Sequence, residues 1–168
     1  MKKTVYLYWQ KSCEHVVCDV AQALRTHFHV TTILGTVKEP TEQSFDTARG
    51  QYDAFYLLRE LFETVVFGDN NSAEMPFVLW LITEDISYTG HDYLYGVAWK
   101  NCAVVSSARI GFGDNLYKEA CHETGHLFGL AHCTNACFMN VSHNLRKLTA
   151  KPMLLCFGCA SKISNHDG

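Results

Sequence analysis

The segment from His122 to His132 constrains the fold of this chain more than any other part of the sequence. It reads His-Glu-Thr-Gly-His-Leu-Phe-Gly-Leu-Ala-His. His122 and His126 are four residues apart, so on a helix both imidazoles lie on the same face, one turn apart. Gly129 favours the end of this helix, because glycine readily adopts the left-handed conformation that lets a chain reverse. We therefore expect a helix over residues 116–128 and a reversal that returns His132 to the other two histidines.

Three imidazoles that converge in this way are typical ligands of zinc. They leave a fourth position open for water, which is the catalytic arrangement, whereas structural zinc sites use four protein ligands. Glu123 projects to a different side of the helix, so it can take a proton from a zinc-activated water without filling a coordination position. The pattern predicts hydrolysis of peptide or amide bonds, with Glu123 as the general base and three zinc ligands, His122, His126 and His132.

Two other functions remain open on the sequence alone. One is a zinc-stabilised peptide-binding protein without turnover, and the other is a zinc hydrolase that acts on non-peptide amides. Glu123 argues against a pure binding protein, because a binding site has no need for a base at that position.

Composition and charge argue against several other classes of protein. Of the 168 residues, 48 % are hydrophobic and 18 % are charged, which favours a globular domain. The formal net charge of −3 gives no electrostatic basis for binding nucleic acid or an anionic membrane. The apolar stretch 77–82 is too short to span a bilayer, and Gln10 and Lys11 interrupt the apolar start before a signal peptide could form. We expect a cytoplasmic monomer whose partner is a peptide substrate.

The eight cysteines fall into two groups. Without a secretion signal the thiols are expected to stay reduced, and clustered cysteines then suggest a metal. Four cysteines after the third histidine have the spacing C-x3-C…C-x2-C: Cys133, Cys137, Cys156 and Cys159. This group suits a tetrahedral structural zinc, and disulfides or an iron–sulfur cluster are the alternatives. The chain is thus predicted to bind two zinc ions, one catalytic and one structural. Small buried apolar roles are expected for Cys13, Cys18, Cys102 and Cys121.

Periodicity gives a coarse secondary structure. Runs of β-branched and aromatic residues predict strands over residues 4–9, 28–34, 76–83, 93–99 and 103–110. Helical spacing predicts helices over residues 13–27, 52–66 and 116–128. A polar loop is expected over residues 39–50 and a turn over residues 68–71. Strands and helices alternate early in the chain, which indicates an α/β or α+β domain.

Two expectations concern the helix that carries the histidines. Asp114 or Asn115 is expected to cap its N-terminus, because both side chains can accept hydrogen bonds from the first free N–H groups. Glu119 lies four residues before Glu123, and we expect it to be an exposed carboxylate in the first turn.

The complete pattern H-E-x-x-H-x-x-G-x-x-H resembles that of the metzincin metallopeptidases, which also carry a methionine turn downstream. More narrowly, the chain is similar to the archaemetzincins, which continue with a cysteine, a C-x-M segment and a C-x-x-C segment. Here these are Cys133, Cys137-Phe138-Met139 and Cys156-Phe157-Gly158-Cys159. The segments 49–52, 96–98 and 139–140 also resemble that family. The family usually has four residues between the first two cysteines, and this chain has three.

The resemblance implies one metzincin-like α/β domain over residues 1–168. Residues 1–129 would form a twisted mixed β-sheet with backing helices and the catalytic helix, and residues 130–168 an irregular part tied by the structural zinc. Met139 would form an apolar floor beneath the catalytic zinc. Residues 93–99 would be the sheet edge along which an extended peptide binds. The implied activity is that of a zinc metallopeptidase.

Overall fold

The computed structural model describes residues 2–66 and 75–165, so the predicted turn at 68–71 lies outside the described residues. The strands are β1 Thr4–Trp9, β2 Thr31–Val37, β3 Phe45–Asp46, β4 Gln51–Asp53, β5 Phe77–Ile82, β6 Ile86–Tyr88, β7 His91–Leu94, β8 Gly96–Trp99 and β9 Cys102–Ser106. The α-helices are α1 Val17–Phe28, α2 Ala54–Leu61, α3 Asp114–Leu127, α4 Leu145–Ala150 and α5 Phe157–Asn165. Short 3-10 helices cover Lys11–Val16 and Glu42–Ser44, and a π-helical turn follows α2 at Phe62–Val66.

The strands form two sheets. The larger sheet has the order β2-β1-β5-β9-β8, in which only β8 runs antiparallel to its neighbour. The smaller sheet has the order β3-β4-β6-β7 and is also mixed. The α/β fold class with a mixed sheet and backing helices is therefore confirmed, with the strands divided between two sheets.

Alternation along the central strands separates two apolar cores. Leu79, Leu81 and Val105 face a core shared with α1, α3 and the C-terminal segment. Val78, Trp80 and Val104 face the opposite core, which is closed by α2 and its π-helical turn. Because neighbouring residues of a strand point to opposite faces, one sheet serves both cores. This layering places α3 directly beneath β8 and β9.

The predicted strand over residues 93–99 is interrupted, which corrects that prediction. Leu94 in β7 pairs with Ile86 in the smaller sheet, whereas β8 pairs with β9 in the larger one. Tyr95 is the residue at which the chain passes from one sheet to the other, and its carbonyl accepts the N–H of Ser106 at 2.8 Å. One continuous apolar segment is thus divided between two sheets, and sequence periodicity alone cannot predict where the division falls.

Other element boundaries differ for local reasons. The helix predicted from residue 52 begins at Ala54, because Asp53 caps it by accepting the N–H groups of Phe55 and Tyr56. The predicted cap of α3 is wrong: Gly113 is the N-cap and no side chain caps the helix. Asp114 instead lies inside the first turn, where a negative charge interacts favourably with the helix dipole.

Candidate active site

Helix α3 carries the first half of the candidate site. It packs against β8 and β9 on one side and α1 on another, so most of its residues are buried. His122 and Glu123 are 6 % and 4 % exposed, and His126 is half-buried one turn later. The predicted helix over residues 116–128 is confirmed within two residues at each end. Both histidines and the glutamate therefore lie on rigid, well-packed backbone.

The helix ends at Gly129 as the sequence predicted. Gly129 has a φ of 83°, in the left-handed region, and its N–H donates to the carbonyl of His126 at 2.9 Å. The next N–H, that of Leu130, turns back to the carbonyl of Gly125 at 3.0 Å. These bonds reverse the chain and bring His132, which is exposed, over the helix.

Two backbone carbonyls fix the orientation of the helix histidines. Nδ1 of His122 donates to the carbonyl of Phe138, and Nδ1 of His126 donates to the carbonyl of Leu130, each at 2.8 Å. A carbonyl can only accept, so each Nδ1 carries the proton and each Nε2 keeps a lone pair. The two Nε2 atoms face each other at 3.1 Å.

The pKa values favour the neutral imidazoles that metals require. Burial is the largest cause that lowers the pKa of His122 to about 3, and the nearby ammonium of Lys151 adds to it. Burial likewise lowers the pKa of His126 and His132. Metal ligation needs an unprotonated ring nitrogen, so these shifts leave the three rings in the ligating form near neutral pH.

The donor set of these histidines fits a zinc ion. Their ring nitrogens lie within 4.8 Å of one another. Nitrogens bound to zinc at about 2.0–2.1 Å in a tetrahedron stand roughly 3.4 Å apart, close to the spacing of the two Nε2 atoms. Among the described residues three side chains converge here, which matches a catalytic zinc site with a fourth position for water or substrate.

Met139 lies directly beneath α3. It is fully buried, and its Sδ occupies the space that a Cβ on Gly125 would need. The backbone N–H of Cys133 donates to the Met139 carbonyl at 2.8 Å, which ties the segment after the third histidine to this methionine. Met139 therefore packs under the helix at the turn between His122 and His126.

Glu119 is part of the site, which corrects its expected exposure. Its side chain is 6 % exposed and lines the same cleft as Glu123. Burial raises the pKa of Glu119 to about 7. Burial and then the neighbouring Glu119 raise the pKa of Glu123 well above its usual value. The sequence held a usable signal, because residues four apart share a helix face, but the exposed interpretation was preferred.

Gly96 and Lys151 are two further residues that sequence reasoning missed. A Cβ at Gly96 on β8 would meet Cγ of Glu123 at 2.8 Å and Oε1 at 3.0 Å, so glycine leaves the space in which the glutamate lies. Lys151 follows α4, is 6 % exposed and lies within electrostatic range of Glu119 and Glu123. No local pattern marks a lysine after a short helix as part of a site.

The histidines and both glutamates open into a cleft of about 920 Å³. Its wall includes the segment 90–98, which contains β7 and the start of β8, and the segment 141–143. Arg109 lies over the ring of Tyr93 at 4.3 Å and forms a two-point ion pair with Asp85 at 2.7 Å. The hydroxyl of Tyr93 donates across the cleft to the carbonyl of His143 at 3.5 Å.

The second cysteine group also converges. The Sγ atoms of its four members lie within 4.8 Å of one another, and none of them is in a disulfide. Thiolates bound to zinc at about 2.3 Å in a tetrahedron stand about 3.8 Å apart. The Sγ atoms of Cys133 and Cys156 are 3.8 Å apart, which fits four-coordinate zinc and not a covalent S–S bond. Three intervening residues between Cys133 and Cys137 therefore suffice for this geometry.

N–H groups surround the sulfurs of this group. The N–H of Asn135 donates to Cys133 and the N–H of Cys156 donates to Cys137, each at 3.3 Å. Hydrogen bonds, first from the Asn135 side chain and then from the backbone of Cys159, lower the pKa of Cys156 to about 6. The thiolate is the form that binds metal.

The remaining cysteines follow the prediction with one exception. Cys13, Cys102 and Cys121 are fully buried, and burial raises the pKa of each thiol. Cys18 is exposed on α1, so its predicted burial is wrong. It lies at the border of the buried face that Val17, Val20 and Leu24 of the same helix form.

None of the helices in the two described segments combines the length and the apolar character needed to span a bilayer.

Comparison with known proteins gives a consistent result. The model of peptidase family M54 matches residues 10–165. An archaemetzincin of Archaeoglobus fulgidus is 30 % identical over 157 residues, which covers 89 % of this chain and 91 % of that protein. The crystal structure of a zinc-dependent peptidase from Methanocorpusculum labreanum matches with a TM-score of 0.82 at 25 % identity, covering 95 % of this chain and 99 % of that one. The archaemetzincin structure from Methanopyrus kandleri matches with a TM-score of 0.81 at 25 % identity, covering 98 % and 94 %.

Proposed function

This chain belongs to the archaemetzincins of peptidase family M54 and is a zinc metallopeptidase, and from this premise we propose that it hydrolyses peptide bonds with Glu123 as the general base. The observation that carries the proposal is the position of Glu123. Glu123 is buried and lines the same cleft as the three histidines, on the same helix as two of them. In this proposal the catalytic zinc is held by His122, His126 and His132.

Zinc, when bound there, supplies Lewis acidity that lowers the pKa of water and polarises the substrate carbonyl. Glu123 takes the proton of the attacking water on its carboxylate and passes it to the leaving nitrogen. Burial, and then the neighbouring Glu119, raise the pKa of Glu123 above the usual range of a carboxyl group, which strengthens it as a proton acceptor. Gly96 keeps space for this carboxylate, and Met139 supports the helix turn below it.

We propose a second, structural zinc held by Cys133, Cys137, Cys156 and Cys159, giving two zinc ions per chain. The four thiols converge, and their spacing fits a closed tetrahedral site. Cys137, Cys159 and Met139 belong to the same apolar core as β1 and α3. This shared core supports the proposal that residues 1–129 and 130–168 act as one peptidase domain.

We also propose a monomer, because one chain supplies every residue of the proposed site. The free thiols of all eight cysteines favour a reducing compartment such as the cytoplasm. Light scattering of the purified protein tests the oligomeric state.

The deciding experiment compares wild type with Glu123→Gln. Gln has nearly the same shape as Glu but cannot accept the proton, so we expect peptide cleavage to fall by about 10²- to 10⁴-fold. Metal analysis of both proteins, purified without added zinc, should show two zinc ions in each. Full activity of the variant would refute Glu123 as the base. Zinc binding by both proteins without cleavage by wild type would favour a peptide-binding protein without turnover.

A further inference from the structure

Two residues that line the active-site cleft each carry a polar atom without a hydrogen-bond partner among the described residues. They are Nζ of Lys151 and Oγ of Ser142, and both atoms are buried. Both residues line the cleft, and both also line an adjoining smaller cavity of about 340 Å³. A buried polar group without a partner is costly, and a buried unpaired ammonium is more costly still. Their shared position indicates a ligand that supplies the missing acceptor.

Two other shielded lysines of the described residues have polar partners. Lys118, which is buried on α3, donates to the carbonyl of Thr149 at 2.8 Å, and Lys38 pairs with Glu60 at 2.8 Å. Lys151 lies within electrostatic range of Glu119 and Glu123, yet neither carboxylate hydrogen-bonds to its Nζ. The ammonium of Lys151 therefore interacts with these two carboxyl groups only through space and has no hydrogen-bond acceptor among the described residues.

We propose that Lys151 and Ser142 together anchor a carboxylate group of the peptide substrate. This inference rests on the proposed peptidase function and names a class of substrate for it. An ammonium and a hydroxyl both donate, and the pairing that best compensates a buried ammonium is with an anion. A peptide offers this chemistry from two sources, its C-terminal carboxylate or an Asp or Glu side chain.

The position of the anchor suits a substrate-orienting role. Ser142 lies three residues after Met139, in the same wall of the cleft as Val141 and His143. Ser142 belongs to the segment 141–143 of the cleft wall, so the anchored group lies against this segment. A carboxylate held there fixes the substrate beside the reacting groups, which raises the fraction of bound peptide in a reactive geometry.

The test measures binding and cleavage with matched peptides. One pair differs only in a free or amidated C-terminus, and a second set replaces Glu by Gln at each position of an amidated peptide. Binding is measured by calorimetry on zinc-loaded Glu123→Gln, which holds substrate without turnover, and cleavage is measured on the active enzyme. We expect the carboxylate forms to be favoured by roughly tenfold or more. The free-acid pair and the Glu/Gln set distinguish the two sources.

Three variants locate the effect. Lys151→Met keeps much of the side-chain volume and should reduce the preference to about one. Ser142→Ala should reduce it in part and tests the anchor even where Lys151→Met fails to fold. Lys162→Met is the matched control, because Lys162 is an exposed lysine on α5 that lines neither cavity, and it should keep the full preference.

The outcomes separate this inference from the proposed function. Equal binding of carboxylate and amide forms by the otherwise wild-type cleft overturns the anchor, even where cleavage is normal. A loss in Lys151→Met that is equal for both forms also overturns it, because Lys151 would then act only through Glu119 and Glu123. A carboxylate preference in binding without any cleavage supports the anchor and refutes the peptidase proposal instead.

Discussion

The sulfur of Met139 occupies the place of the absent side chain of Gly125. Any Cβ at position 125 would overlap Sδ and lie 3.0 Å from Cε of the methionine. Gly125 thus has a packing role, because it lets a large, polarisable side chain approach the helix backbone between the two helix histidines. Met139, beneath the site, and helix α3, which carries two of the histidines, therefore pack against each other at Gly125.

Gly125→Ala should therefore damage the site even though alanine is the better helix former. Overpacking a dense core costs about 1–3 kcal/mol, which exceeds the gain in helix propensity of about 1 kcal/mol. We expect a lower free energy of unfolding in urea and a lower zinc content. Gly158→Ala on α5 is the control, because no atom lies within 4 Å of a Cβ there. Equal stability of wild type and Gly125→Ala would refute the packing argument.

Gly96→Ala should lower activity while both metal sites stay filled. The new methyl group would displace the Glu123 carboxylate, whose Oε1 lies 3.0 Å from the Cβ position. A misplacement of about 1 Å can reduce the rate about 10²-fold. Steady-state kinetics should show the loss in kcat, and metal analysis should show unchanged zinc. Unchanged kcat would mean that Glu123 has room to move without loss of function.

Cys159→Ser should remove one zinc ion and destabilise the C-terminal segment. Cys159 is buried in the main core, so its replacement removes a metal ligand and places a polar hydroxyl in that core. We expect zinc to fall from two equivalents to one, with a clear drop in melting temperature. Cys18→Ser serves as the control, since this exposed thiol belongs to neither the histidine group nor the four-cysteine group. Iron in the wild type, or one metal with four titratable thiols in the cluster, would contradict the structural zinc.

Glu119→Gln should change how the stability of the metal-free protein depends on pH. The pKa of Glu119 is raised from 4.5 to about 7, so the folded chain keeps a proton that the unfolded chain has already released. Stability of the wild type is then lost as pH rises from about 4.5 to about 7. The variant has no such proton. The difference between its free energy of unfolding and that of wild type should therefore rise by at most about 3 kcal/mol between pH 4.5 and about pH 7.

His122 has the opposite pH dependence. Its pKa is lowered to about 3, so it reduces stability as pH falls below 6.5, but it does so in both proteins. The measurement is urea unfolding in a chelator at several pH values. The difference between the two proteins removes the contribution of His122 and reports Glu119 together with its effect on the pKa of Glu123. A difference that stays constant from pH 4.5 to 7.5 would contradict the raised pKa.

The sequence predicted the fold class and the convergence of the three histidines because the information was local. The four-residue spacing of His122 and His126, and Gly129 at the helix end, act within two turns of one helix. The cysteine spacing likewise predicted a convergent group. These features depend on backbone geometry that a short pattern determines.

Features that depend on distant parts of the chain were missed. The break at Tyr95 results from competition between two sheets for one apolar run. The burial of Glu119 depends on the elements that pack against α3, and the position of Lys151 depends on how the segment after α4 packs. The role of Gly96 is visible only once β8 lies over Glu123. Each of these requires tertiary contacts that no local pattern encodes.

The carbonyls that orient His122 and His126 belong to Phe138 and Leu130, which lie in the chain after the helix. The metal site is therefore complete only when that segment has closed, so metal occupancy and closure are thermodynamically linked. Each tenfold rise in free zinc above the dissociation constant should add about 1.4 kcal/mol to the free energy of unfolding. Zinc supply would thereby set the protein's resistance to degradation, and scarcity would remove the whole chain as well as its activity.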